Sequence, residues 1–164
     1  MHVFSGEETL EGILVLAYSL EDGLQGFYRL MADRAEDEKA RELFELLAGI
    51  EDKHKDRIFE EYRGLASSPS DRKEFESKVV ARFMEGGMTT EEYFRHFQLD
   101  INSRADILDM AMTIEAQALD LYRRSADRFR DKQITPFFLR LSDEEKEHLR
   151  RLGRFMEEIE EEGD

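Results

Sequence analysis

Residues 44–58 read FELLAGIEDKHKDRI and residues 138–152 read FLRLSDEEKEHLRRL. The two stretches lie 94 positions apart, and the same residue stands at Phe44 and Phe138, Leu47 and Leu141, Glu51 and Glu145, His54 and His148, and Arg57 and Arg151. Moving outward at that offset, Ala17 falls on Ala111, Glu21 on Glu115, Tyr28-Arg29 on Tyr122-Arg123, and Ala32-Asp33-Arg34 on Ala126-Asp127-Arg128. The chain is two copies of one unit. A repeated helical hairpin would need only its apolar positions to match. Here polar positions match as well, so the repeat preserves chemistry along with packing.

Spacings of three and four run through both copies, and this is helical periodicity. The pattern predicts helices over about Ser5–Ala35, Asp37–Arg63, Ser103–Arg130 and Thr135–Glu161. Ser5 with Glu8 forms a capping box, Ser103 with Asp106 resembles one, Gly64 reads as a C-terminal stop, and Pro136 sits where a first-turn proline is tolerated. Between the copies, Ser67-Ser68-Pro69-Ser70 reads as a loop, Asp71–Glu85 as an extra helix ended by Gly86-Gly87, and Thr90–Leu99 as a further short helix. No strand pattern is visible. The expected fold is all-α, a single domain over 1–164. It is an antiparallel four-helix bundle of two hairpins, about 5–64 and 103–161, joined by a crossover of about 65–102, the connectivity of ferritin-like bundles.

The polar matches fall on the core-facing stripes. One stripe is Leu14, Ala17, Glu21, Leu24, Tyr28 and Met31; the next is Phe44, Leu47, Glu51, His54 and Ile58. The second copy carries Leu108, Ala111, Glu115, Ala118 and Tyr122, then Phe138, Leu141, Glu145, His148, Leu152 and Phe155. Each stripe holds a glutamate near its middle. A buried carboxylate without a counter-charge costs several kcal/mol or shifts its pKa until it is neutral. Four of them in one core call for cations, and two divalent ions would balance them, with two neutral imidazoles completing the shells. The levels agree: Glu21 to Glu51 and Glu115 to Glu145 are both 30 residues, with midpoints at Glu36 and Arg130, the expected turns. About 15 residues from a turn is roughly 22 Å along a helix, so each pair reaches one height. The candidate metal ligands are Glu21, Glu51, His54, Glu115, Glu145 and His148.

Composition narrows the rest. The chain has 164 residues, a formal net charge of −15 and no cysteine. The acidity leaves no basic face for nucleic acid. The absence of cysteine excludes disulfides, zinc ribbons, iron–sulfur clusters and a thiol nucleophile, so any metal is held by oxygen and nitrogen. The apolar stretch Ile13–Ala17 is too short for a signal core or a membrane span, so a cytoplasmic location without a membrane partner is expected. Tyr28 and Tyr122, two turns from Glu21 and Glu115, either donate hydrogen bonds to ligand carboxylates or are core tyrosines. Arg57 and Arg151 read as surface residues, His96 as structural, His2 as a terminal residue, and the methionines as core or crossover filler.

The segments Ala17-x3-Glu21-x6-Tyr28 and Glu51-x2-His54, repeated as Ala111-x3-Glu115-x6-Tyr122 and Glu145-x2-His148, resemble the rubrerythrin branch of ferritin-like di-iron proteins. The likeness covers both hairpins. It implies that Glu51 and Glu145 bridge two iron ions, that Glu21 and Glu115 are terminal ligands, and that His54 and His148 each complete one ion. Mn or Zn are substitutes a carboxylate–imidazole site could accept. It implies an oxidoreductase that reduces peroxide or oxygen with external electrons. Two departures stand out: no cysteine is present for a rubredoxin-type domain, so the electron donor is a separate protein or a fused region; and Ala118 occupies the position of the family's seventh, switching glutamate. A metal-binding, iron-handling protein without rapid turnover needs the same six ligands, and a bundle for protein association with a vestigial site is a third reading. The resemblance also implies a homodimer, and the long crossover leaves room for hairpins swapped between chains.

Overall fold

The computed structural model describes residues 9–65, 71–86, 92, 95, 96, 98, 100 and 102–163. The described residues are helical or in turns, with no strand among them. Five helices stand out: α1 (Leu10–Arg34), α2 (Glu38–Leu65), α3 (Arg72–Gly86), α4 (Arg104–Arg128) and α5 (Ile134–Glu162). They fall into two compact units, residues 1–88 and 89–164.

In the first unit, α1 starts where the Thr9 side chain accepts the Gly12 N–H at 3.1 Å. This replaces the start expected at Ser5; the Ser5–Glu8 capping box itself lies outside the described residues. The turn of residues 35–37 contains Glu36, as the midpoint implied. Its chain is held by Arg41, which donates to the Ala35 carbonyl at 2.9 Å and pairs with Glu38 at 2.8 Å. The two helices then run antiparallel and bury Ile13, Leu14, Ala17, Leu24, Tyr28 and Met31 against Phe44, Leu47 and Ile58. Helix α2 runs through Gly64 to Leu65, two residues past the expected end at Arg63. An exposed glycine inside a helix costs only about 1 kcal/mol relative to alanine. The buried Tyr62 ring, packed at 4.5 Å on Phe75, anchors that last turn. The loop expected at Ser67–Ser70 lies outside the described residues.

Helix α3 is the extra helix expected over Asp71–Glu85, and it lies on α1. Its fully buried Phe75 sits in a box of aromatic rings: Tyr18 edge-on at 4.8 Å, Phe59 at 5.5 Å and Tyr62 at 4.5 Å. Of the short helix expected over Thr90–Leu99, Glu92, Arg95 and His96 are helical and exposed, and the rest lies outside the described residues.

In the second unit, Ser103 caps α4, accepting the Asp106 N–H at 3.3 Å, as its spacing implied. The turn of residues 129–133 contains Arg130. Asp131 Oδ1 accepts the Gln133 N–H at 2.7 Å and the Ile134 N–H at 3.1 Å, and these bonds hold its carboxyl below the usual carboxylate range. Pro136 is the third residue of α5, where its missing N–H leaves no helical bond unmade. The repeat is geometric as well as sequential: Tyr28 stacks on Phe44 at 6.1 Å and 19°, and Tyr122 on Phe138 at 6.1 Å and 22°.

Candidate metal centre

Three turns into the first hairpin's core, α1 supplies Glu21 and α2 supplies Glu51 and His54. All three are fully buried, at 0 % exposure. His54 Nδ1 lies 3.3 Å from Glu21 Oε2 and 3.0 Å from Glu51 Oε2. The second hairpin repeats the arrangement from α4 and α5. His148 Nδ1 lies 3.3 Å from Glu115 Oε2 and 3.4 Å from Glu145 Oε2, and all three residues are buried. Within each triad, one ligand atom per residue lies within 4.8 Å of the others. A carboxylate from one helix thus meets a carboxylate and an imidazole, spaced i and i+3, from the other.

Each triad is a donor set of two carboxylates and one imidazole turned toward a common point, without water access. That set suits a divalent cation of the first transition row. Without a cation, such burial penalises charge. Glu115 is pushed up to about 8, first by loss of hydration, then by its hydrogen bond with Glu145, against a lowering contribution from His148.

The structure brings all six sequence-selected residues into these two triads. Tyr28 and Tyr122 are buried in the cores, each stacked on a phenylalanine. Arg57 is exposed, and Arg151 is half-exposed with its Nε 3.6 Å from Glu147. His96 is exposed. His2 lies outside the described residues. Met31 and Met110 are core, and Met112 and Met156 are half-buried. Ala118, one turn after Glu115, is fully buried and offers no ligand atom.

One cluster escaped the sequence reading. Beside the first triad, the buried Lys55 Nζ donates to Asp22 Oδ1 at 2.7 Å and to Gln25 Oε1 at 3.0 Å, and Gln25 Nε2 donates to Asp52 Oδ1 at 2.6 Å. Lys55 also lies over the Tyr18 ring, 5.3 Å from its centroid. The Tyr18 hydroxyl donates to Glu76 on α3 at 2.6 Å and accepts from Arg72 at 3.2 Å; burial and the Glu76 carboxylate push it up to about 12, so it stays protonated. Arg72 extends to Asp56 at 2.6 Å. The available signal was a mismatch between the copies: Lys55 and Gln25 fall on Leu149 and Leu119.

A family model described as Rubrerythrin matches residues 12–97 and 106–164, most of the chain and all four helices that carry the triads. Nothing matches the chain among curated proteins or among solved structures.

Proposed function

This chain belongs to the rubrerythrin family, and on that premise we propose that it is a non-haem di-iron protein that reduces peroxide or oxygen with electrons from a separate donor. The observation that carries the reading is the duplicated, fully buried Glu-Glu-His triad. Burying two carboxylates without a cation opposes folding, so a site built twice this way is a site built for metal. Glu21 and His54 would hold one ion, Glu115 and His148 the other, and Glu51 and Glu145 would be shared by both. In each imidazole Nδ1 would be the ligand atom, since Nδ1 faces the carboxylates; a protonated Nδ1 would have to release its proton for metal to bind. Iron held by these residues would supply the electrons for reduction of the oxidant.

The chain's own groups set the conditions for that chemistry. Burial keeps bulk water from competing for the ions. Glu115, which holds a proton in the metal-free state near neutral pH, gives it up on loading, so iron uptake releases protons. Ala118, fully buried, has a methyl group where the family's seventh carboxylate would stand, so no carboxylate exchange at that position would be available. Electrons come from outside the sequence described here, because it has no cysteine to hold a rubredoxin-type iron.

The test is anaerobic loading with Fe²⁺, followed by metal analysis and rapid mixing with peroxide or with oxygen. Two irons per chain, and ferrous oxidation faster than in a Glu51→Ala/Glu145→Ala control, are expected. Retention of no ferrous ion overturns the di-iron reading. Retention of two ions without oxidation by either reagent leaves iron handling without turnover as the function.

A further inference from the structure

The Lys55 cluster sits at the height of the first triad. Glu21 and His54 are 33 residues apart, and so are Asp22 and Lys55, each being the next residue along its helix. The Lys55–Asp22 contact is therefore the ligand contact displaced by one residue, about 100° around each helix at 3.6 residues per turn. A slip of α1 along α2 by a single residue, about 1.5 Å, would break both contacts together. Gln25 and Asp52 extend the clamp one turn further: Gln25 bonds Lys55 through its oxygen and Asp52 through its nitrogen. Helix α3 shields this brace, since the Tyr18 ring under the Lys55 ammonium is held by Glu76 and Arg72. A buried ammonium is sensitive to geometry: displaced from its acceptors, it is left without hydration or partners.

The second hairpin has no such brace. Asp22, Gln25, Asp52 and Lys55 correspond to Ala116, Leu119, Lys146 and Leu149. Alanine and leucine side chains form no hydrogen bonds, and Lys146 is turned to Asp143 on its own helix at 3.3 Å. There the second hairpin carries an exposed Ala116 and half-buried Leu119 and Leu149, whose apolar side chains offer no directional bond to resist sliding or rotation.

We propose that Lys55, with Asp22, Gln25 and Asp52, is a positioning brace that fixes the register of α1 on α2 and makes the Glu21–Glu51–His54 triad the pre-organised half of the metal site, which fills before the Glu115–Glu145–His148 triad. The inference rests on the reading of both triads as metal ligands. The brace touches no ion; it acts through helix register, and it makes two chemically identical donor sets unequal in affinity. Outer residues that orient ligands are worth about 10- to 100-fold in metal affinity, and the lower end applies to a brace acting through the backbone.

The experiment is a Zn²⁺ titration of the full chain labelled with ¹⁵N-histidine, following the imidazole nitrogens of His54 and His148 separately by NMR. In the wild type, the His54 signals saturate at a lower Zn²⁺ concentration than those of His148. The variant Asp22→Ala/Gln25→Leu/Asp52→Lys/Lys55→Leu gives the first hairpin the residues of the second. It should raise the half-saturation point of His54 roughly tenfold and abolish the order of filling. Its metal-free thermal midpoint should hold or rise, because an apolar replacement of a buried charged cluster is commonly neutral or stabilising. A purely structural role would move the midpoint and leave the order. Should the fourfold variant not fold, Asp22→Leu against Asp22→Asn gives the same answer, because asparagine keeps an acceptor for Lys55 and leucine does not. Simultaneous saturation of both imidazoles in the wild type overturns the proposal, as does an unchanged order in the variants. A wild type in which neither imidazole responds to Zn²⁺ overturns the metal-site reading and this inference with it.

Discussion

The two hairpins have the same inner face and different outer faces. Inside, both present Glu-Glu-His with Nδ1–Oε2 distances of 3.0–3.4 Å, beside a tyrosine stacked on a phenylalanine at 6.1 Å. Outside, the first hairpin carries Tyr18, Phe59 and Tyr62 as a socket for Phe75 of α3, where the second has Met112, Gly153 and Met156. A duplicated hairpin keeps what the site needs in both copies and is free to diverge where each copy meets its own surroundings. The inner match therefore points to chemistry, and the outer mismatch to asymmetry in how the two halves are supported.

The largest effect should come from the shared inner face. Glu51→Ala and Glu145→Ala should each lose most of both ions, because each carboxylate would serve both, whereas Glu21→Ala and Glu115→Ala should each lose about one. Metal analysis after loading and desalting decides this, and equal, near-full occupancy in all four variants would sink the assignment. Next is the outer face. Phe75→Ala empties the aromatic socket and should cost about 3–5 kcal/mol by the usual range for buried phenylalanine. Met112→Ala, at the position that matches Tyr18, is half-buried and should cost well under that. Chemical denaturation of the two variants measures the difference, and equal costs would erase the contrast between the outer faces.

A third effect concerns pH in the metal-free chain. The folded-state pKa of Glu115 is raised from its ordinary 4.5 to about 8. The unfolded chain releases this proton at lower pH than the folded one. Stability linked to this group is thus fully present below pH 4.5 and is lost as pH rises through about 8. Metal-free protein should gain stability on acidification from pH 8 to 6, and Glu115→Gln should flatten that slope; a wild-type slope of opposite sign refutes it. Smallest are the caps. Thr9→Ala and Ser103→Ala should each cost about 1 kcal/mol, the usual worth of a hydroxyl cap, and near-equal thermal shifts would show the two hairpin starts to be equivalent.

Much of this was legible in the sequence because duplication supplies an internal control. The offset of 94 residues selected the six triad residues, and the 30-residue spacing of the glutamates within each copy located both turns, at Glu36 and Arg130. What stayed hidden has physical reasons. The start of α1 at Thr9 and its neighbours' competing Ser5 cap are chemically alike, and only geometry selects between them. Gly64 reads as a stop from composition, but the anchor that continues the helix, Tyr62 on Phe75, is a contact with a later segment. Nothing in the sequence marks Lys55 out from the other charges of a chain that is 38 % charged residues; only the fold buries it, with its ammonium over the Tyr18 ring. Matching positions revealed the site; the mismatched ones, Lys55 against Leu149 and Gln25 against Leu119, held the information about its support.

Helix α3 is fastened to the first hairpin unevenly. Over residues 72–79 its buried side chains are Phe75 and Val79, and the remaining attachments are polar, through Arg72, Glu76 and Lys78. Over those residues, two apolar anchors are few beside the continuous stripes that join α1 to α2, so this stretch opens more readily than the α1–α2 pair in a sub-global fluctuation. Native-state hydrogen exchange should show the amides of residues 76–80 exchanging at a free energy below that of mid-α1, with a rate that rises with added salt as the polar fastenings are screened. Each such opening would free the Tyr18 ring beneath the Lys55 ammonium and so loosen the hairpin's grip on its own register. The breathing of one peripheral helix would thereby set how long the first half-site keeps its shape, a lifetime rather than an affinity.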